Sequence, residues 1–124
     1  MKNYLLLFTV LACLGCAPAN QLSRLYLGMN KLTGGAVSEQ EFNRFLQQEI
    51  SSRFPKGLTL FEAKGQWRGG KGTVEQESSR IVEIVCEDTP ENRDKIVAIA
   101  AKYKAVFAQE AVMVINSQPD VIFH

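Results

Sequence analysis

The chain has 124 residues, three cysteines and one histidine, and its formal net charge is +1. A nearly neutral chain without a basic cluster is not typical of a nucleic-acid-binding protein, because such binding depends on neutralising phosphates. The same balance argues against electrostatic docking on anionic lipid, and the length suits one domain.

The first sixteen residues have the layout of a bacterial lipoprotein signal. Lys2 precedes an apolar run, Tyr4–Ala12, which is followed by Cys13-Leu14-Gly15-Cys16. The run is about half of the roughly 20 residues that a transmembrane helix needs. We therefore expect residues 1–15 to be a signal peptide and a cysteine to carry palmitate or a similar acyl chain. The alternative is an ordinary secretory signal, which would leave the protein secreted or periplasmic.

Two cysteines compete as the lipid-accepting residue. Cys13 has the better flanking residues, Ala12 immediately before it and Val10 three before it. Cleavage there would leave a signal that is short for the 15–30 residues typical of secretion, so Cys16 is preferred and Cys13 is the alternative. Residues 16–22 would then be the lipidated cysteine and its tether. Since no aspartate follows either cysteine, we expect the periplasmic side of the outer membrane in a cell that has one.

The first half of the domain reads as a strand followed by a helix. Leu25–Met29 alternates and predicts a strand with Leu25, Leu27 and Met29 on one face. Leu32–Gly35 is a turn. Ser38 and Glu41 have capping-box spacing, and the apolar residues that follow are three and four apart, as in an amphipathic helix: Phe42, Phe45, Leu46 and Ile50.

The second half predicts a hairpin, a helix and further strands. Strands are expected over 58–63, with Trp67 as the alternative end, and over 80–87, with a glycine-rich turn at 69–72. A helix begins near Thr89-Pro90 and carries an apolar stripe: Ile96, Ile99, Ala100, Tyr103 and Phe107. Strands are expected at 112–115 and, very short, at 121–123. The order predicts an α+β domain over 23–124, a ferredoxin-like split β-α-β-β-α-β with both helices on one face of an antiparallel sheet.

The face of the sheet away from the helices is expected to stay partly apolar. Alternation places these residues on it: Tyr26, Phe61, Ala63, Ile81 and Val85. An uncovered apolar face of this size is unusual for a monomer, so it indicates a homodimer or the floor of a ligand cleft, with the dimer favoured. On the other face, Cys86 lies beside Val82 and Ile84, which predicts a buried, unreactive thiol.

The hairpin tip carries the first candidate ligand-binding residues. The segment 65–72 resembles a phosphate-binding loop but lacks the Ser or Thr after Lys71, so nucleotide binding is rejected. Gln66, Trp67 and Arg68 together suit a planar or anionic ligand through stacking and bidentate hydrogen bonds. The alternative is structural: Trp67 packs on the sheet rim and Arg68 is solvated or pairs with Glu75 or Glu77.

Glu110 and Gln109 follow the second helix, where a carboxylate can be presented at a domain edge. Arg68 or Arg80 would be the partner of Glu110; the favoured alternative is a structural role, in an ion pair or in a hydrogen bond to the backbone. His124 is the lone histidine, which argues against a metal site and against serine- or cysteine-hydrolase chemistry. No cofactor motif is found.

Several blocks along the chain also resemble one family. They occur in the order Leu25-Tyr26-Leu27-Gly28, Val37-Ser38-Glu39, Arg53 to Thr59, Gly65-Gln66-Trp67-Arg68 and Tyr103 to Glu110. They resemble the domain of unknown function 3574 family of small bacterial secreted or lipid-anchored proteins, from about Gln21 to Phe123. The family usually has Gly at the position of Ala108 and Ser at that of Ala111. The resemblance implies a cellular location and domain boundaries but no activity.

The sequence thus predicts a cell-envelope lipoprotein whose small α+β domain binds a ligand or a partner. The alternative is a small enzyme of the dimeric α+β-barrel type that uses the open sheet face. The candidate site residues are Gln66, Trp67, Arg68, Arg80, Glu110 and Tyr26.

Overall fold

A computed structural model of the protein describes residues 15–124. The predicted signal and the alternative lipidation site Cys13 lie outside these residues. The elements are β1 (Asn20–Gly28), α1 (Glu39–Phe45, continued by a π-helical turn, Leu46–Ser51), β2 (Thr59–Arg68), β3 (Val74–Glu87), α2 (Pro90–Val106) and β4 (Met113–Ser117). The strands form one antiparallel sheet in the order β2-β3-β1-β4, which confirms the predicted ferredoxin-like α+β fold.

Both helices begin at side-chain caps that the sequence predicts. At α1, the Glu41 amide donates to Ser38 Oγ at 3.1 Å, and the Ser38 amide donates to Glu41 Oε2 at 2.8 Å. At α2, Thr89 Oγ1 accepts from the Asn92 amide at 3.1 Å, and Pro90 occupies the first turn. Each cap satisfies amides that have no partner inside the helix.

The core lies between the two helices and one face of the sheet. The helix stripes and the inward residues of β1 and β3 are buried, as predicted: Leu25, Leu27, Phe42, Phe45, Ile50, Val82, Ile84, Ile96, Ile99, Tyr103 and Phe107. The ring of Tyr103 packs edge-on against Phe45 at a centroid distance of 5.1 Å and tilts against Phe107 at 4.7 Å. These aromatic contacts hold the C-terminal half of α2 against α1.

The C-terminus of α2 contains a strained residue. Ala108 directly follows the capping residue Phe107 and has a φ of 49°, in the left-handed region. Glycine is the usual residue there, because a Cβ is crowded by the following carbonyl oxygen. The Gln109 amide donates to the Lys104 carbonyl at 3.0 Å, so this turn leads the chain out of the helix towards β4.

Several boundaries differ from the sequence prediction. Strand β1 begins at Asn20, inside the predicted tether of residues 16–22, and ends at Gly28 rather than Met29. Strand β3 begins at Val74 rather than Arg80, because the β2–β3 hairpin stays paired as far as Arg68 opposite Val74. The short strand expected at 121–123 is wrong: residues 118–124 have no regular secondary structure. Ile122 is 67% exposed and Phe123 91%, so these apolar residues find no sheet to join.

The open face of the sheet is confirmed. Phe61, Val85 and Ile115 are each more than 40% exposed, and Tyr26 and Ile81 are half-buried. Cys86 lies on the other face but is only partly buried, so the expected full burial is wrong, while desolvation still raises the pKa of its thiol. Within residues 15–124, no helix is long and apolar enough to cross a membrane.

Candidate functional site

A cleft of about 580 Å³ lies on the open face, at the end of the sheet nearest the β2–β3 hairpin. Its floor comes from the strands and its far wall from the segment that joins α2 to β4. The lining residues are Tyr26, Gly28, Asn30, Lys31, Leu32, Gly65, Gln66, Trp67, Glu75, Glu77, Ser79, Gln109, Glu110, Ala111 and Met113. Four of the six candidate residues from the sequence are among them: Tyr26, Gln66, Trp67 and Glu110.

Strand register brings these residues together. On the hairpin, Trp67 stands opposite Glu75 and Gly65 opposite Glu77. Gly65 has no side chain to fill the space, and a Cβ added there would meet its nearest atoms only at 3.9 Å. The glycine therefore leaves an open floor between the Trp67 indole and the rest of the cleft.

Gly28 forms the inner end of the cleft, and here a side chain is excluded. A Cβ on Gly28 would stand 2.6 Å from Glu77 Oε1 and 2.7 Å from Gln109 Oε1, closer than real Cβ contacts. The Glu77 carboxylate is held in place by the Asn30 amide, which donates to it at 2.8 Å. The two oxygens thus converge over one backbone position because that residue is glycine.

Gly28 is also hydrogen-bonded to a core residue on the helix side of the sheet. Tyr103 Oη donates to the Gly28 carbonyl at 2.8 Å. Burial, with a smaller contribution from the Glu77 carboxylate, holds the pKa of the Tyr103 hydroxyl well above its usual range. The hydroxyl therefore remains a donor at physiological pH.

Gln109 is the most deeply buried polar residue of the cleft, at 7% exposure. Its Nε2 donates to the Asn30 carbonyl at 2.7 Å and to the Phe107 carbonyl at 3.1 Å. Because both neighbours are acceptors, the amide group can have only this orientation. Its Oε1 therefore faces the cleft.

Two of the six candidate residues lie elsewhere. Arg68 is exposed at the end of β2 and is not among the lining residues, and neither Glu75 nor Glu77 forms an ion pair with it. Arg80 faces the helices, so its expected place on the open sheet face is wrong. Its guanidinium pairs with Glu39 and, at 3.5 Å, with Glu62.

Arg80 also lies over the ring of Phe42, with 5.9 Å between the guanidinium carbon and the ring centroid. Its position follows from strand alternation, since Arg80 and the buried Val82 are two residues apart on β3. Neither arginine is a partner for Glu110 within the part of the chain that the structure describes. Arg80 is thus part of the structural support of α1 rather than of the cleft.

Sequence reasoning missed the residues that define the inner end of the cleft. Glu77 lies in the part of β3 that precedes the predicted strand and is expected only as an ion-pair partner of Arg68, and Gln109 only as a neighbour of Glu110. No local signal marks Glu77, since the segment 75–80 is an unbroken run of polar residues and lacks the apolar alternation that predicts a strand. Nothing in the local sequence pairs Gln109 with Asn30.

A second, shallower groove of about 480 Å³ lies between α2 and β4, on the helix side of the sheet. Its polar end is a cluster that the sequence did not predict. Ser23 Oγ donates to Asn116 Oδ1 at 2.6 Å, and Gln21 Nε2 donates to Ser23 Oγ, also at 2.6 Å. These bonds satisfy the polar side chains that β1 buries beneath α2.

Metal binding has no support in the described region. No group of three or more His, Cys, Asp or Glu side chains in residues 15–124 is arranged to hold an ion. His124 is exposed at the end of the irregular tail.

The chain belongs to the DUF3574 family of proteins of unknown function, whose model matches residues 22–123. This confirms the resemblance seen in the sequence. No curated protein matches the chain in sequence.

Solved structures with the same fold are distant in sequence. A phage SAM lyase in complex with S-methyl-5′-thioadenosine has a TM-score of 0.67 and 14% identity, over 82% of each chain. CutA1 from Oryza sativa has a TM-score of 0.57 and 12% identity, over 86% of this chain and 85% of that one. The periplasmic divalent cation tolerance protein CutA from Archaeoglobus fulgidus has a TM-score of 0.55 and 10% identity, over 84% and 87%. At these identities the likeness shows the fold alone.

Proposed function

We propose that the domain binds a small molecule in the cleft beside Trp67. The observation that carries this proposal is convergence: a tryptophan, a tyrosine and several hydrogen-bonding side chains from three strands and two loops line a single concave space. Such a combination of aromatic surface and a few directed polar groups is typical of ligand sites. One protein of this fold is solved with S-methyl-5′-thioadenosine, a small molecule with a planar ring, which supports a ligand-binding use of the fold.

The aromatic residues indicate a ligand with a flat portion. Trp67 is 42% exposed, although an indole gains from being covered. Tyr26 and Met113 continue the apolar surface along the floor, opposite each other on β1 and β4. A planar group that lies against Trp67 would cover this surface without moving the strands.

Blocking the floor tests the proposal. Gly65→Phe would place a ring in the cleft with little strain, because a Cβ there meets nothing closer than 3.9 Å. Lys64→Phe is the matched control, since Lys64 is the preceding residue of β2 and does not line the cleft. Ligand-observed NMR with a mixture of neutral, cationic and anionic aryl fragments should show binding to wild type and to Lys64→Phe, and none to Gly65→Phe. Binding that survives Gly65→Phe would refute the proposal.

We also infer that the open face pairs with a second copy of the chain. Its exposed apolar residues lie on three strands, Phe61, Val85 and Ile115, and the half-buried Tyr26 adds apolar surface on β1. Arg24 and Glu83 neutralise each other on this face at 2.6 Å, so burying it against an identical face leaves no unpaired charge from them. This surface is continuous with the cleft through Tyr26.

Light scattering on wild type and two valine variants tests the pairing. Val85→Glu places a charge on the open face, whereas Val97→Glu places one on the outer side of α2, where the valine is 67% exposed. We expect a dimer for wild type and for Val97→Glu, and a monomer for Val85→Glu. A wild-type protein that is monomeric at all concentrations would contradict the pairing of two copies.

We also propose that the protein is located in the cell envelope and that an acyl chain on Cys16 anchors it to the membrane. Cys16 is exposed, and only three residues separate it from β1. An acyl chain on Cys16 would hold the domain within about 11 Å of the membrane surface, at roughly 3.5 Å per extended residue. Labelling with palmitate should be lost in Cys16→Ser and kept in Cys13→Ser. Labelling that persists in both variants would rule out this anchor.

A further inference from the structure

The inner end of the cleft presents two side-chain acceptors, and within residues 15–124 only the Glu77 oxygen receives a hydrogen bond. Glu77 Oε1 and Gln109 Oε1 both lie within 2.7 Å of the point where a Cβ on Gly28 would stand. The Glu77 oxygen accepts one bond from the Asn30 amide, which leaves further lone-pair capacity on the carboxylate. The two oxygens therefore both pack over the Gly28 Cα, and a group that enters from the cleft can donate to both.

Gln109 shows that this arrangement is built rather than accidental. The side chain is more than nine-tenths buried, and its amide nitrogen is fixed by the carbonyls of Asn30 and Phe107. No donor to Gln109 Oε1 is found in residues 15–124, and yet no fully buried side-chain atom of this region lacks a partner. The oxygen is therefore accessible from the cleft, where a ligand can donate to it.

The charges of the cleft favour the same chemistry. Glu75, Glu77 and Glu110 contribute three carboxylates, and none of them forms an ion pair within the described residues. The only basic lining residue is Lys31, whose ammonium group is engaged by Glu41 at 3.1 Å. The cleft thus carries net negative charge beside an aromatic wall, which suits a cation.

We propose that the ligand of the cleft is an organic cation that bears N–H donors on a flat body, such as an aryl amidinium. Its charged N–H groups donate to Glu77 and to Gln109 Oε1 over Gly28, and its flat body lies against Trp67. Charge-assisted hydrogen bonds of this kind are short and are stronger than neutral ones. The inference rests on the proposed small-molecule function of the same cleft. Of the planar or anionic ligand that Gln66, Trp67 and Arg68 indicate in the sequence, it keeps the planar character and replaces the negative charge, because Arg68 does not line the cleft.

Three isosteric probes test the charge preference on the full chain in detergent. Benzamidine is cationic, benzamide is neutral and benzoate is anionic, while their rings are the same. By calorimetric titration we expect benzamidine to bind about tenfold more tightly than either isostere, as one or two charge-assisted bonds imply. Glu77→Gln keeps an acceptor for the Asn30 amide but removes the charge, and it should abolish this preference. Glu87→Gln, on the same strand but outside the cleft, should retain it.

The outcomes separate the two proposals. Equal or tighter binding of benzamide or benzoate, lost in Gly65→Phe, would overturn the cationic ligand and leave small-molecule binding in place. Binding of benzamidine that Glu77→Gln leaves unchanged would likewise overturn it. If none of the probes binds at millimolar concentration, or if Gly65→Phe changes nothing, both proposals fail together.

Discussion

Tyr103 Oη donates a hydrogen bond to the carbonyl oxygen of Gly28 at 2.8 Å. The bond joins the C-terminal half of α2 to the last residue of β1, directly beneath the inner end of the cleft. Tyr103 is fully buried against Phe45 and Phe107, so the position of the glycine is set by the hydrophobic core. The acceptors above Gly28 therefore have a rigid base.

Tyr103→Phe should lower the free energy of unfolding by about 1 kcal/mol, because it removes one buried hydrogen bond and leaves the Gly28 carbonyl without its donor. The phenyl ring preserves the packing on Phe45 and Phe107. Urea denaturation measures the loss. Tyr26→Phe is the matched control, since its hydroxyl makes no hydrogen bond within residues 15–124 and its removal should change stability little. Equal stability of both variants would contradict this role.

Ala108→Gly should stabilise the protein. Ala108 has a φ of 49°, and the left-handed conformation costs roughly 1–2 kcal/mol for a residue with a Cβ. Part of this gain is offset by the greater freedom of glycine in the unfolded chain, so we expect a net gain of about 0.5–1 kcal/mol. Calorimetry should show a higher Tm for Ala108→Gly and a lower Tm for Ala105→Gly within α2, where glycine only weakens the helix. A lower Tm for Ala108→Gly would contradict the strain.

Replacement of Arg80 should lower the free energy of unfolding much more than replacement of Arg68. Arg80→Met removes a mostly buried guanidinium that pairs with Glu39 and Glu62 and covers Phe42, so we expect a loss of about 2 kcal/mol. Arg68→Met removes an exposed charge and should change the free energy of unfolding by less than about 0.5 kcal/mol. Chemical denaturation of both variants tests the assignment. If Arg68→Met were the more damaging change, the two side chains would have been given the wrong roles.

The α1 capping box makes the stability of the protein depend on pH. The Ser38 amide and the Lys31 ammonium group lower the pKa of Glu41 from its usual 4.5. A carboxyl with a lowered pKa contributes stability above its unfolded-state pKa and loses it as the pH falls through the folded-state value. Glu41→Gln should therefore flatten the fall in Tm below about pH 4.5. Glu87→Gln, an exposed glutamate with no ion pair in the described region, should leave the acid profile unchanged.

Local patterns predicted much of the fold. The alternation of Leu25, Leu27 and Met29 predicts β1 and its buried face but not its start at Asn20, and the spacing of Ser38 and Glu41 places the start of α1. These features depend on residues within four positions of one another, so the sequence contains them directly. The strand expected at 121–123 failed because a strand needs a neighbouring strand, which propensity alone does not supply.

The candidate site was only half predictable for the same reason. Trp67 and Glu110 were identified because their residue types are conspicuous. Gln109 and Glu77 were not identified, since their role depends on contacts with Asn30 and Gly28 across the fold. The error over Arg80 was avoidable, because its two-residue spacing from Val82 already placed it on the buried face.

The central claim, that the cleft binds a small molecule, is tested most directly by the fluorescence of Trp67. Trp67 is the only tryptophan of the chain and it lines the cleft, so its emission reports on that site. Titration with benzamidine should produce a saturable change in emission in wild type and in Lys64→Phe, and no change in Gly65→Phe. Emission that stays constant through millimolar benzamidine, benzamide and benzoate, or that changes equally in Gly65→Phe, would contradict the claim.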